Sequence, residues 1–253
     1  MEFIDIIKKI DKIKGETIIK GIYRVLNRNK DVKPSFSYTW IRSKIPRTAE
    51  FVNEYEINDT VIQLYHIPEE TEDLYQVNPV EYDIENKKAE LIQNVRSSLS
   101  DHYPKDIDII NLNQVKKYIN SRGKDLLLST AEKLEIELEE NREEKESKAD
   151  KLSKLISKYT AGYGLLETLL IDPDVEDIYA DAPSNRNCLY VELRGQEGIR
   201  DRCRTNIFLS KRDMDSIISR FRSISGKPFS EAFPVLEGDL PGYNTRPQVF
   251  FLF

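Results

Sequence analysis

Hydrophobic residues recur every three or four positions over the first 34 residues, on either side of Gly15. They are Ile6, Ile7, Ile10, Ile13, Ile18, Ile19, Ile22, Val25 and Leu26. This spacing is typical of one face of an amphipathic helix. We therefore predict two short helices over residues 1–34. The segment is basic, so the helices either dock on the rest of the chain or bind an anionic membrane surface.

The pattern changes at Ser35 to short runs of β-branched and aromatic residues separated by turn-forming residues. The runs are SFSYTW, AEFVNEYEI, TVIQLYHI and LYQVNPVEY. They predict a small sheet. Residues 85–120 return to helical spacing, with apolar faces formed by Ala89, Ile92, Val95 and Leu99 and by Val115, Tyr118 and Ile119. We predict a sheet-plus-helices domain over residues 35–125.

A heptad-like spacing of apolar residues continues from Leu127 to Tyr159 and fails only at Asn141, Lys145 and Lys148. Around these failures the stretch EENREEKESKADK is polar on every face. This pattern indicates a helix that leaves one core, crosses solvent and enters the next. We predict a charged helical connector over residues 126–159. A short dimeric coiled coil is the alternative.

The remaining segment, residues 160–253, starts with AGYGLLETLL, which predicts a short helix that ends before Asp172-Pro173, since a residue before proline avoids the helical region. Three strands are predicted at EDIYADAP, CLYVELRG and RTNIFLS, with a hairpin turn at Gly195–Gly198.

The stretch SKRDMDSIISRFRSISG predicts the longest helix of this segment. Ser210 is the expected N-cap and Gly226 the expected end of the helix. Helix, three strands, helix, loop and strand make a small mixed α/β domain. For the whole chain we predict an α/β (α+β) fold with two cores.

Charge and apolar content limit the classes of function. The net charge is -6, so bulk electrostatics do not favour nucleic acid as a partner. No apolar run approaches the roughly 18 residues of a membrane span. We expect a cytoplasmic protein, or one held peripherally at the inner face of the membrane if the N-terminal helices bind lipid. Cys188 and Cys203 have no CxxC partner, which argues against a zinc site.

Familiar catalytic motifs are missing from the sequence. There is no G-x-S-x-G or H-E-x-x-H, and none of the ten glycines has another glycine five residues later, as a P-loop requires. His66 and His102 lie in different predicted elements. The acidic string DPDVED is explained by local turn and helix-end contacts, without a metal. The chain as given should not hydrolyse a nucleotide alone.

Residues 225–246, SGKPFSEAFPVLEGDLPGYNTR, form a long segment without a helix or strand pattern. Long loops in compact domains are usually functional or disordered. Disorder is disfavoured because the segment carries six large apolar residues: Phe229, Phe233, Val235, Leu236, Leu240 and Tyr243. The sequence therefore predicts an ordered loop with Lys227 at one end and Arg246 at the other.

This loop, preceded by GYGLLETLLIDPDVEDIYAD, resembles the N-terminal domain of type II/type IV secretion ATPases. The resemblance is closest to the archaeal motors of the archaellum, pilus and secretion systems. Its pattern is a Gly-x-Gly-x-Leu-Glu helix with Leu-Leu-x-Asp-Pro, then Ser-Gly-Lys/Arg-Pro, Pro-x-Leu-x-Gly-x-Leu-Pro and an arginine. It covers residues 160–246, extends to the segments RSKIPRTAEFVNEYEI and EETEDLYQVNPVEYD, and weakens in the first 35 residues.

The resemblance implies a role in a hexameric motor. In that family, ATP with Mg²⁺ lies between this domain and a C-terminal P-loop domain, and basic residues of the N-terminal domain reach the phosphates. Arg246 matches the family arginine, and Lys227 matches the Lys/Arg after Ser-Gly. Arg220 and Arg222 are weaker candidates. The implied partners are the ATPase domain, neighbouring subunits and a membrane platform protein.

The family pattern stops at Arg246. Where relatives have valine and then the ATPase domain, this chain has Pro247 followed by QVFFLF. The expectation is a coding interruption after Arg246, by frameshift or gene truncation, and no tight nucleotide binding by this chain alone. The alternative is a free-standing adaptor or regulatory module of the same fold. An independent enzyme with a divergent site has no motif to support it.

Overall fold

The structure is a computed structural model, and it describes residues 31–101, 111–139, 141–240, 242–243 and 245–250. Most of the predicted N-terminal helix pair, His102 and the last three residues of the apolar tail lie outside these ranges.

The strands and helices form two successive blocks along the chain. The first block contains β1 (Asp31–Val32), β2 (Trp40–Arg42), β3 (Glu50–Ile57), β4 (Thr60–His66), β5 (Asp73–Pro79), α1 (Asn86–Asp101), α2 (Leu112–Lys133) and α3 (Arg142–Thr160). The second contains α4 (Leu166–Leu170), β6 (Val175–Ala180), β7 (Leu189–Leu193), β8 (Arg202–Thr205), β9 (Ile207–Phe208), α5 (Lys211–Ser225), β10 (Val235–Glu237) and β11 (Gln248–Phe250). The predicted α/β fold class is confirmed.

One six-stranded sheet, ordered β3-β4-β5-β8-β7-β6, contains strands from both predicted domains. Its neighbours are antiparallel except β5 and β8, which are parallel with Asp73 opposite Cys203. A single hydrophobic cluster extends from Phe36 to Leu209. This differs from the predicted division into two cores, because β8 adds directly to the edge of the β3-β4-β5 meander.

The predicted connector is a helical hairpin and does not cross solvent. Helix α2 ends at Lys133, and α3 begins after Asn141, whose side chain accepts a hydrogen bond from the Glu143 N–H at 3.2 Å. The two helices run antiparallel, since the Ser157 hydroxyl donates to the Lys116 carbonyl at 3.2 Å. Ala149, Leu152 and Ile156 of α3 are buried. The charged stretch therefore folds back on α2 in place of spanning a gap.

Helix α5 begins and ends where the sequence predicts. The Ser210 hydroxyl accepts a hydrogen bond from the Asp213 N–H at 3.0 Å, and Gly226 ends the helix with φ +63°. A residue with a Cβ is strained at that φ, which explains the glycine. None of the helices in the described ranges combines the length and apolar character that a bilayer span requires.

The acidic string at residues 172–177 has the local role that the sequence suggests. Asp172 is 4% exposed, and its carboxylate accepts hydrogen bonds from the Asp174 N–H at 2.9 Å and the Tyr55 hydroxyl at 2.8 Å. It also accepts one from the Tyr75 hydroxyl. The carboxylate thus closes its own turn and joins it to β3 and β5.

Asp73 is a buried carboxylate that ties two turns of the large sheet together. It accepts hydrogen bonds from the Ile67 N–H at 2.9 Å, the Arg200 N–H at 2.8 Å and the Arg200 guanidinium at 2.7 Å. His66 Nδ1 lies 3.0 Å from the same carboxylate, so this histidine has a structural partner. Burial raises the pKa of Asp73, but the hydrogen bonds outweigh burial, and the pKa lies below its usual value.

We expect Asp73→Asn to destabilise the protein by about 2–4 kcal/mol at pH 7, because the amide cannot accept from every donor around it. A depressed folded-state pKa contributes stability above the unfolded pKa of about 3.9 and loses it as pH falls through the folded value. Urea unfolding of both proteins should therefore give a difference that shrinks as pH falls below about pH 4. A difference that stays unchanged or grows below about pH 4 would contradict this account.

Candidate functional site

The described residues of the loop at residues 225–246 pack into a small hydrophobic cluster with Tyr163 and Phe221. Leu236 and Leu240 are buried against Phe221 of α5, and Phe229 and Tyr243 are partly buried there. Phe233 and Val235 are 56% and 46% exposed. Four of the six apolar side chains therefore anchor the loop, which supports the inference that it is not a solvated linker.

The anchored loop brings its two basic ends to one carboxylate. Strands β10 and β11 pair antiparallel with Glu237 opposite Gln248. The Lys227 ammonium lies 3.9 Å from Glu237 Oε1, and the Arg246 guanidinium lies 3.7 Å from the same oxygen. Lys227 and Arg246 are separated in sequence, and the structure places both beside a single negative charge.

This cluster of Lys227, Arg246 and Glu237 faces solvent. The three side chains are 50%, 64% and 41% exposed. Exposed ion pairs of this kind contribute about 0–1 kcal/mol. Both cations can therefore exchange the Glu237 carboxylate for another anion at small cost, and the arrangement is chemically suited to bind a phosphate group.

The Gly-x-Gly-x-Leu-Glu segment connects the loop to the helices. Glu167 Oε1 accepts hydrogen bonds from the Tyr163 N–H at 2.9 Å and the Lys116 ammonium at 2.7 Å, and Lys116 also donates to the Tyr243 hydroxyl at 3.1 Å. A Cβ at Gly162 would lie 2.6 Å from the Lys158 carbonyl oxygen. The glycine is therefore required by close packing, and the glutamate by the contacts it accepts.

Arg220, the third predicted site residue, belongs to α5, and its guanidinium lies at the C-terminal end of α3. Its guanidinium donates to the carbonyl oxygens of Thr160 at 3.2 Å and Ala161 at 2.6 Å, and also to that of Gly162. A further N–H reaches the Ser216 hydroxyl at 3.2 Å. Burial lowers the pKa of Arg220, but a guanidinium remains protonated. Four of its five N–H groups are thus engaged within the protein.

Arg220 is one of several hydrogen-bond donors that together satisfy the last four carbonyl groups of α3. An α-helix leaves its last four carbonyl groups without intrahelical partners. In α3, the Ser157 and Lys158 carbonyls accept from the N–H groups of Ala161 and Gly164, at 3.0 and 3.1 Å. The Tyr159 carbonyl accepts from Arg96 at 2.6 Å, and the Thr160 carbonyl accepts from Arg220. Arg220 therefore has a structural role, whereas Lys227 and Arg246 form the exposed pair.

Two residues that take part in these contacts, Glu237 and Arg96, were not identified from the sequence. No sequence pattern marks Glu237 apart from its position beside Gly238 in the loop. A pattern does mark Arg96: it lies four residues after Ile92 and three before Leu99, so it occupies the apolar face of α1. A cation at such a position needs buried acceptors.

Other reactive groups in the described ranges have structural explanations. Burial raises the pKa of the Cys203 thiol to about 12 and raises that of Cys188, so neither is a thiolate at neutral pH. Within these ranges no three His, Cys, Asp or Glu side chains are placed to hold a metal ion.

No protein-family model matches the chain, and a search of the curated proteins finds no match. The resemblance to the secretion ATPases therefore depends on the sequence motifs quoted above.

Proposed function

We propose that this chain is the N-terminal, non-catalytic portion of a secretion or pilus-type motor ATPase, and that its loop contributes Lys227 and Arg246 to the phosphates of ATP held by a P-loop domain. The observation that carries the proposal is the convergence of both cations on Glu237, at 3.9 and 3.7 Å. A bound phosphate would replace that carboxylate as the shared anion.

Anchoring of the loop lowers the entropic cost of binding a phosphate group at Lys227 and Arg246. A cation already held in place by a packed loop loses little conformational freedom when the anion arrives. Leu236 and Leu240, at 0% and 5% exposure, hold the segment that carries Glu237, and β11 holds the chain just after Arg246. Two exposed cations lack the backbone N–H groups of a P-loop, so we expect only weak nucleotide affinity from this chain alone.

The proposal includes the partners that the resemblance implies. The chain would work in a homohexamer, next to its own ATPase domain, and would contact a membrane platform protein at the inner face of the membrane. Nucleic acid has no place in this account.

The affinity of the isolated chain for ATP tests the role of the three-residue cluster. Glu237→Gln should bind ATP about fivefold more tightly than the unmodified chain at low salt, because two unit charges 4 Å apart in water interact by about 1 kcal/mol. Arg246→Gln should bind more weakly. Titration calorimetry or ligand-observed NMR can measure both changes.

Glu231→Gln is the matched control, because Glu231 is an exposed carboxylate of the same loop with no described ion pair. It should leave the affinity nearly unchanged. Equal gains for Glu237→Gln and Glu231→Gln would reflect net charge only and would contradict a specific phosphate position.

A further inference from the structure

A polar cavity of about 250 Å³ lies between α1, the end of α3 and α5. Its lining is Tyr38, Gln93, Arg96, Ser97, Tyr159, Thr160, Arg212, Asp213, Ser216 and Arg220. Lys227, Glu237 and Arg246 are not among these residues. The cavity is therefore separate from the cluster assigned above to ATP.

The cavity wall carries more positive than negative charge. Arg96, Arg212 and Arg220 face one carboxylate, that of Asp213. Asp213 is already the acceptor of the Thr39 hydroxyl at 2.6 Å. Burial lowers the pKa of Arg96, Asp213 raises it, and the like charge of Arg220 lowers it further. One carboxylate thus does not neutralise the three guanidinium groups.

Two of the three cations are fixed in place by the helix end. Arg96 donates to the Tyr159 carbonyl at 2.6 Å and to the Thr160 hydroxyl at 3.3 Å, while Arg220 holds the carbonyls that follow. Their positive charge at the cavity is therefore a permanent feature of the folded protein. An anion entering the cavity meets an electrostatic field that needs no reorganisation.

The third cation, Arg212, is exposed and available at the mouth. Its guanidinium lies over the Tyr38 ring at 4.3 Å, and no ion pair of Arg212 is found among the described residues. A guanidinium stacked on an aromatic ring presents its N–H groups outward along the ring edge and is suited to bidentate binding of an oxyanion.

The volume limits the size of the ligand. A cavity of about 150 Å³ holds benzene, whereas sites for drug-sized ligands measure about 300–1,000 Å³. The value of about 250 Å³ lies between these limits. It fits a small organic acid or phosphate ester and is small for a complete nucleoside triphosphate.

We propose that this cavity binds a small oxyanion, a phosphate ester or a carboxylate. Arg212 binds the oxyanion through its exposed guanidinium, and Arg96 and Arg220 supply positive potential from the wall. Since the cavity joins α5 to the end of α3, its occupancy stabilises the contact between these helices.

Thermal unfolding with defined probes tests the proposal. Glycerol 3-phosphate represents the phosphate esters and malate the carboxylates. A probe at about 10 mM should raise Tm by about 3 °C or more, as expected when a ligand at ten or more times its Kd binds only the folded state. The probe that gives the larger shift identifies the source of the oxyanion.

The variant Arg212→Gln should weaken binding of the effective probe at least tenfold, because it removes the exposed cation of the cavity. Arg222→Gln is the matched control, because Arg222 is an exposed arginine of the same helix outside the cavity. Arg246→Gln should leave this binding unchanged, which separates the cavity from the ATP proposal. The inference is overturned if neither probe raises Tm, or if Arg212→Gln and Arg222→Gln respond alike.

Discussion

Replacing Arg220 by methionine should lower the free energy of unfolding by about 3 kcal/mol, because each buried carbonyl left without a donor costs about 1–3 kcal/mol. Methionine keeps the aliphatic stem but donates nothing to Thr160, Ala161 and Gly162. The Arg220 guanidinium reaches the first two of these carbonyls at 3.2 and 2.6 Å. Denaturant unfolding followed by circular dichroism measures the loss.

Arg222→Met is the control for this prediction. Arg222 lies two residues further along α5, and its side chain is exposed. Its replacement should change stability by no more than about 0.5 kcal/mol. A stability loss for Arg220→Met equal to that of the control would mean that the carbonyl groups at the end of α3 do not need Arg220 as a donor. The structural role of Arg220 would then be contradicted.

In a protein that joins this chain to the P-loop domain of a resembling motor, Arg246→Ala should reduce ATP turnover about 10²-fold or more. A cation that neutralises charge developing on the transferred phosphate acts in the transition state, so kcat should fall more than KM rises. Folding should be unaffected, since the Arg246 side chain is 64% exposed. Steady-state kinetics with unfolding curves measures both.

The same joined protein carrying Arg186→Ala provides the comparison for turnover, and its turnover should be unchanged. Arg186 is an exposed arginine that lies outside the loop. Equal turnover for Arg246→Ala and the unmodified protein would reduce Arg246 to a surface residue paired with Glu237.

Local features of the fold could be read from the sequence because local chemistry sets them. Ser210 and Gly226 bound α5 as expected, since a hydroxyl cap and a positive φ depend on neighbouring residues only. The hairpin of β7 and β8 follows from the turn at Gly195–Gly198. Short runs of β-branched and aromatic residues predict β3, β4 and β5 for the same reason.

Long-range features could not be read in this way. The break after Lys133 was missed because the heptad-like spacing continues through it, whereas Glu135 adopts a positive φ of 53° and the chain reverses. The parallel pairing of β5 with β8 joins Asp73 to Cys203, which are remote in sequence, and no local pattern specifies that contact. The two-core expectation failed for this reason.

In the candidate site, too, the sequence predicts some features and the long-range contacts are known only from the structure. Lys227 and Arg246 could be proposed from motif position, but their shared partner Glu237 emerges only from the pairing of β10 with β11. The sequence pattern makes Arg220 a candidate phosphate ligand, because sequence does not reveal that the carbonyls of residues 160–162 lie within its reach. A buried arginine is recognised as structural only once its acceptors are known.

The DNA that follows the codon for Arg246 tests the central proposal most directly. If this chain is the N-terminal portion of a motor ATPase, translation in all three frames should give G-x-x-x-x-G-K-[S/T] about one small domain further on, preceded by a strand pattern and followed by a helix pattern. Absence of that motif from every frame would contradict the motor assignment and would favour a free-standing adaptor module.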